Sequence, residues 1–174
     1  MPTVFADQVR ILVVGSQLFD HRLYEGSDLL TVGFARDYPL ALHSRFAFAG
    51  ELYPFLLFHQ DTGTNTSDER EFTPGAAAAG LIAYRGTFSE GRWGYRVELG
   101  SGGVYSPYRA VPAGGTRVNF YDQAGFAVTR HQSAGPAVSL GYRWIHISNL
   151  SLFHNRENPG VDFHALVIAL EWPR

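Results

Sequence analysis

The sequence predicts an all-β protein, in which eight antiparallel strands follow one another up and down and close into a transmembrane β-barrel of the outer-membrane type. Three observations indicate this fold. Short runs alternate between apolar and polar residues, and the gaps between the runs alternate between long and short. The apolar faces are also unusually broad and rich in aromatic residues for a surface in contact with water.

The alternating runs have the two-residue period of β-strands, not the 3.6-residue period of helices. They span 8–17, 28–36, 44–58, 75–86, 92–100, 117–130, 137–149 and 161–172. The fifth run is the clearest, because Trp93, Tyr95 and Val97 alternate with polar or small residues. In the third run, we expect one apolar face to carry Phe46, Phe48, Leu52, Leu56 and Phe58, and the opposite face to carry Arg45, Ala47, Ala49, Glu51 and Tyr53.

The lengths of the gaps give a second, independent indication of the fold. The even-numbered gaps are all short, at 37–43, 87–91 and 131–136. The odd-numbered gaps are longer, at 18–27, 59–74, 101–116 and 150–160. Outer-membrane barrels have short turns at the periplasmic end and longer loops at the outer end. The gaps therefore alternate in the phase expected for such a barrel.

The distribution of charge indicates that the barrel has an apolar exterior and a polar interior. Only 17% of the residues are charged, and all 14 basic residues are arginine. The few charges on the strands lie opposite broad aliphatic and aromatic faces: Glu51, Arg96, Glu98, Arg143 and Glu171. We therefore expect the apolar faces to contact lipid and the charges to pair inside a narrow lumen. The alternatives are a soluble β-sandwich and a soluble barrel that binds an apolar ligand inside.

The composition excludes several classes of function. A length of 174 residues predicts a single barrel domain over 1–174, with 1–7 as a lead-in. A net charge of −2 does not indicate a nucleic-acid partner, and the absence of cysteine excludes disulfides and thiolate chemistry. No apolar run approaches the roughly 20 residues of a transmembrane helix. The first residues lack the basic start and apolar core of a secretory signal, so we predict that a signal peptide is absent from this sequence.

A candidate catalytic site lies where the last two strands meet. Trp144, His146 and Ser148 share one face of the seventh strand, and Asp162 begins the eighth. If the two strands pair as a hairpin, a serine, a histidine and a carboxylate meet at one end, which is the composition of a hydrolase triad. The seventh strand runs outward in this topology, so the site lies near the outer leaflet. Polar groups that face lipid are costly and therefore indicate function.

Two asparagines are candidates for stabilising an oxyanion. Asn149 follows Ser148 directly, although in a regular strand it points to the opposite face. Asn158 lies in the connecting loop, where Asn158-Pro159-Gly160 is equally well explained as turn chemistry.

Other nearby residues have more than one interpretation. His164 is an alternative base or an interfacial residue, and His154 is a further histidine in the loop. A metal site from His146, Asp162 and His164 is a minor alternative; we predict neither a metal nor a cofactor. The remaining large aromatics of these strands are interpreted as belt or lipid-facing residues: Tyr142, Trp144 and Trp172.

His146-Ile147-Ser148-Asn149, followed by Asn158-Pro159-Gly160-Val161-Asp162, resembles the signature of the lipid A 3-O-deacylases of the PagL type, in the acyloxyacyl hydrolase family. The stretch from Gly115 to Gly125 resembles the sixth strand of that family, and the similarity is most specific over 115–172. The resemblance implies an eight-stranded barrel in the bacterial outer membrane with its site on the lipid-facing wall. It also implies a serine esterase that removes the acyl chain at position 3 of lipid A, in lipopolysaccharide, and releases a hydroxy fatty acid.

The resemblance also implies a role for each residue of the site. Ser148 would be the nucleophile, His146 the base and Asp162 the acid that orients it. Asn149 and Asn158 match the asparagines to which the family assigns oxyanion stabilisation.

The sequence departs from the family pattern in two places. Asp162 stands where the family often has glutamate, and Leu150-Ser151 stands where it often has Ala-Gly. If a backbone N–H at the glycine position completes the oxyanion hole, Ser151 must adopt the same geometry with a Cβ present. The competing interpretation is a non-enzymatic barrel with a structural or adhesive role. A homodimer is left open.

Overall fold

The computed structural model describes residues 8–16, 28–40, 45–59, 72–107, 116–149 and 160–173. Each strand pairs antiparallel with the next, and β8 pairs with β1 to close the barrel. The prediction of an eight-stranded antiparallel barrel is confirmed. The strands are β1 (Gln8–Gly15), β2 (Asp28–Pro39), β3 (Phe46–His59), β4 (Phe72–Phe88), β5 (Trp93–Tyr105), β6 (Val118–Arg130), β7 (Ala137–Ser148) and β8 (Val161–Pro173).

The short turns lie at one end of the barrel. The turn between β4 and β5 is built by Ser89, Glu90 and Gly91, which all have positive φ. Strand β5 extends further than its pattern predicts, because Ser101 and Gly103 pair with both β4 and β6. Hydrogen bonds from both neighbours therefore hold a glycine-rich stretch in the sheet despite its low intrinsic β-propensity. Among the described residues, no helix is long and apolar enough to cross a membrane.

The outward faces of the strands form an apolar wall. Large apolar side chains are exposed on all eight strands, and Leu99 and Phe55 are 67% and 78% exposed. Water would not stabilise so continuous an apolar surface, whereas the hydrocarbon core of a bilayer would. Representative members, one from each strand, are Val13, Phe34, Phe48, Ile82, Leu99, Phe126, Leu140 and Ile168.

The inward faces carry buried charges of both signs. Four arginines and four carboxylates of the described residues are buried in the lumen, so their formal charges cancel. The eight are Arg10, Asp37, Glu51, Arg85, Arg96, Glu98, Arg143 and Glu171. Buried charges are tolerated only when they are paired and hydrogen-bonded. The inverted polarity that the sequence predicts is therefore present.

Glu51 is the main acceptor of this lumen network. Arg143 donates to both of its carboxylate oxygens, at 2.9 and 3.2 Å. Arg10 donates to Oε1 at 3.2 Å, and Gln123 donates to Oε2 at 3.0 Å. The Tyr53 hydroxyl donates to Oε2 at 2.5 Å. One carboxylate on β3 thus joins side chains from β1, β6 and β7.

The predicted face of the third strand is wrong beyond Pro54. Leu56 and Phe58 are 2% and 0% exposed and point inward, whereas Phe55 points outward. The register with β4 shifts between Tyr53 and Leu56, where Pro54 has no N–H to donate to the ladder. The extra residue of this bulge reverses the alternation of faces for the rest of the strand.

Candidate active site

The pairing of β7 with β8 sets the geometry of the site. His146 lies directly opposite Asp162, and Trp144 lies directly opposite His164. These residues are on the outward faces, at the end of the hairpin away from the short turns. The predicted juxtaposition of His146 and Asp162 is therefore present in the structure.

The imidazole of His146 contacts the carboxylate of Asp162. Nδ1 of His146 lies 2.9 Å from Oδ1 of Asp162, and the two side chains are 29% and 21% exposed. An ionised carboxylate only accepts hydrogen bonds, so Nδ1 carries the proton in this pair. Nε2 is then left with its lone pair and can accept a proton.

Trp144 contacts both members of this pair. Its indole Nε1 donates to Oδ1 of Asp162 at 3.0 Å, the same oxygen that His146 contacts. Its ring stacks on the imidazole, with centroids 5.8 Å apart and planes inclined by 21°. The sequence interpretation of Trp144 as a belt aromatic missed this bond. The available signal was its place two residues before His146 on the same face, diagonal to Asp162.

Ser148 ends the outward column of β7, two residues beyond His146. It is only 1% exposed, and its Oγ has no hydrogen-bond partner within the described residues. The structure therefore brings His146 and Asp162 together but does not form the hydrogen bond between the imidazole and the serine hydroxyl.

The remaining predicted residues are only partly visible. Asn149 is fully buried directly after β7. Asn158 lies outside the described residues, as do Leu150-Ser151 and His154. His164 faces away from the pair, because its Nδ1 lies 2.5 Å from the hydroxyl of Tyr142. In the described parts of the chain, no group of three or more histidine, aspartate or glutamate side chains is arranged to hold a metal ion.

Two further residues surround the imidazole. Asp122 on β6 is the direct partner of His146 on the side away from β8, and it is half-buried. Gly160 lies directly against the ring, because a Cβ built there would be 2.8 Å from Cε1 of His146. Neither residue was predicted to contact the base, and Gly160 was interpreted only as part of a turn.

Comparisons with known proteins identify the family and the fold of this chain. The family model for lipid A 3-O-deacylase (PagL) matches residues 38–171. A solved structure, described as the crystal structure of the outer membrane enzyme PagL, superposes with a TM-score of 0.63 at 16% identity. That match covers 94% of this chain and 98% of the other, and at this identity it shows a shared fold. A search of curated proteins found no match. The family model covers most of the chain, and the protein therefore belongs to the PagL family of lipid A 3-O-deacylases.

Proposed function

We propose that this protein is a serine esterase of the bacterial outer membrane, which hydrolyses the ester-linked acyl chain at position 3 of lipid A and releases a hydroxy fatty acid. Family membership supports lipid A as the substrate. One observation carries the esterase mechanism. The bond between His146 and Asp162 lies on the lipid-facing wall, next to a buried serine hydroxyl without a described partner.

The mechanism follows from the positions of Ser148, His146 and Asp162 on the outer wall. Ser148 Oγ attacks the ester carbonyl while Nε2 of His146 takes its proton, and Asp162 stabilises the resulting imidazolium. Collapse of the tetrahedral intermediate transfers that proton to the leaving sugar oxygen and leaves an acyl-enzyme. A water molecule then attacks the acyl-enzyme while Nε2 of His146 takes a proton from that water. The proton returns to Ser148 as the fatty acid leaves.

The Ser148 hydroxyl has no hydrogen-bond partner among the described residues, which is consistent with this role. Leaving a buried hydroxyl unbonded costs about 1–3 kcal/mol, so such a group needs a functional explanation. Residues two apart on a strand are separated by about 6–7 Å between Cα atoms, a distance that a histidine side chain can span. In free enzymes, the hydrogen bond between nucleophile and base is often loose and tightens when substrate binds.

The location of the site suggests how the substrate arrives. The lumen is occupied by the network around Glu51 and by buried apolar side chains, whereas the His146 face is continuous with the apolar outer wall. We propose that lipid A reaches the site laterally, from the outer leaflet in which it is anchored. Asn149 and Asn158 are the proposed donors to the oxyanion.

Mass spectrometry of lipid A incubated with the protein in detergent tests this proposal. We expect the parent to remove one ester-linked hydroxyacyl chain, and Ser148→Ala to remove none. Ser101→Ala is the matched control, since Ser101 is an exposed outward serine on β5, and it should retain the parent activity. An unchanged lipid A spectrum with a folded parent would favour the non-enzymatic barrel. Equal deacylation by the parent and Ser148→Ala would exclude Ser148 as the nucleophile.

A further inference from the structure

We infer that Trp144 is a positioning residue, which holds Asp162 and His146 together in the arrangement that proton transfer requires. The inference rests on the proposed function of that pair. The sequence alone predicted only that Trp144 is a belt or lipid-facing aromatic residue.

The first argument is the shared oxygen atom. Trp144 Nε1 and His146 Nδ1 approach the same Oδ1 of Asp162, at 3.0 and 2.9 Å. An indole N–H donates and never accepts, so it holds this oxygen as an acceptor and fixes its direction. Asp162 is 21% exposed and therefore partly removed from the water that would otherwise solvate its charge. The bond from Trp144 replaces part of that lost solvation.

The second argument is the stacking of the rings. The planes of Trp144 and His146 are inclined by only 21°, so the indole restricts rotation of the imidazole. A single side chain thus constrains the carboxylate through a hydrogen bond and the base through its ring face. Small errors in the placement of catalytic groups reduce rates strongly, which gives this double restraint a functional value.

The neighbouring pair on the same wall provides a matched control. Tyr142 bonds His164 along the same diagonal from β7 to β8, one step nearer the centre of the barrel wall. Tyr142→Phe and Trp144→Phe therefore each remove one hydrogen-bonding group from the same face and keep an aromatic ring. Only Trp144→Phe removes a donor to Asp162.

The test uses the full chain folded in detergent, with lipid A as substrate. We expect Trp144→Phe to lower kcat by about tenfold or more while KM changes by less than about twofold, because ground-state binding is retained. Tyr142→Phe should stay within about twofold of the parent in both constants. In an Asp162→Ala background, Trp144→Phe should cause no further loss, since the oxygen that accepts the indole N–H is already removed. Parent-like kcat for Trp144→Phe, or an equal loss in both backgrounds, would overturn the inference.

A spectroscopic measurement separates this inference from the proposed activity. NMR of protein with 15N-labelled histidine detects the Nδ1–H proton of His146, which is protected from exchange while it bonds Asp162. We expect this signal to broaden or vanish in Trp144→Phe and to persist in Tyr142→Phe. If the parent proves inactive on lipid A, the proposed function fails, and the NMR comparison still decides the role of Trp144. An unchanged Nδ1–H signal in Trp144→Phe would then show that the indole does not position the pair.

Discussion

Gly160 and His146 are so close that no other residue fits at position 160 without moving the imidazole. A Cβ built on Gly160 would lie 2.8 Å from Cε1 of His146, closer than Cβ contacts in folded proteins. Since the ring is the end of a flexible side chain, the ring would yield rather than the backbone. Gly160→Ala should therefore displace the imidazole from Asp162 and lower kcat by about tenfold to a hundredfold. Lipid A deacylation kinetics would measure this loss.

The control for this substitution is Gly50→Ala on β3, where a Cβ would meet no atom within 4 Å. We expect both variants to fold, as judged by heat-modifiable migration in gel electrophoresis, and only Gly160→Ala to lose activity. Parent-like kinetics for Gly160→Ala would show that the imidazole position seen here is not the one used in catalysis.

The lumen network makes Glu51 a determinant of stability. Glu51→Gln removes the negative charge that Arg143 and Arg10 share, and leaves both guanidinium groups buried without this carboxylate. Breaking one side of a buried ion pair typically costs about 3–5 kcal/mol. We expect a loss of that order in the free energy of unfolding, measured by denaturant titration of the barrel in lipid vesicles. Glu90→Gln, at an exposed turn, should change it by less than about 0.5 kcal/mol.

If the apolar wall lies in a bilayer, the stability lost on introducing a charge should depend on how deep the substituted residue lies. Leu99 lies in the middle of β5, faces outward and is 67% exposed. An arginine near the bilayer midplane destabilises outer-membrane barrels by about 2–4 kcal/mol, falling to about 0–1 kcal/mol at the interface. Leu99→Arg should therefore cost several times more than Val138→Arg, at the start of β7. Equal, small effects in vesicle unfolding experiments would argue against burial of this wall in lipid.

The sequence was most informative where side chains alternate regularly. Trp93, Tyr95 and Val97 predicted β5, but the pattern stopped at Gly100, because glycine and serine carry little information about faces. Pairing with β4 and β6 extends the strand to Tyr105. The inward position of Leu56 was missed for a related reason, since a single bulge reverses all the faces that follow it.

The pattern of alternation also predicted only part of the site. Alternation, with the assumption that β7 and β8 form a hairpin, predicted that His146 and Asp162 share a face, and the observed register pairs them. The bond from Trp144 was not foreseen, because a lipid-facing tryptophan and a tryptophan that donates to a carboxylate occupy the same positions in an alternating pattern. Only the diagonal geometry of the hairpin distinguishes them. The contribution of Asn158 stays a prediction.

The lumen network also constrains how the barrel can assemble. Arg143 on β7 pairs with Glu51 on β3 and Glu98 on β5, and three strands separate β3 from β7 in either direction around the barrel. A β7–β8 hairpin that entered the bilayer alone would carry Arg143 without these partners, at a cost of at least about 2.5–3.5 kcal/mol at the membrane centre. Stepwise insertion of hairpins is therefore disfavoured. Membrane entry together with closure of the barrel is favoured instead, because the charges are then neutralised as they leave water.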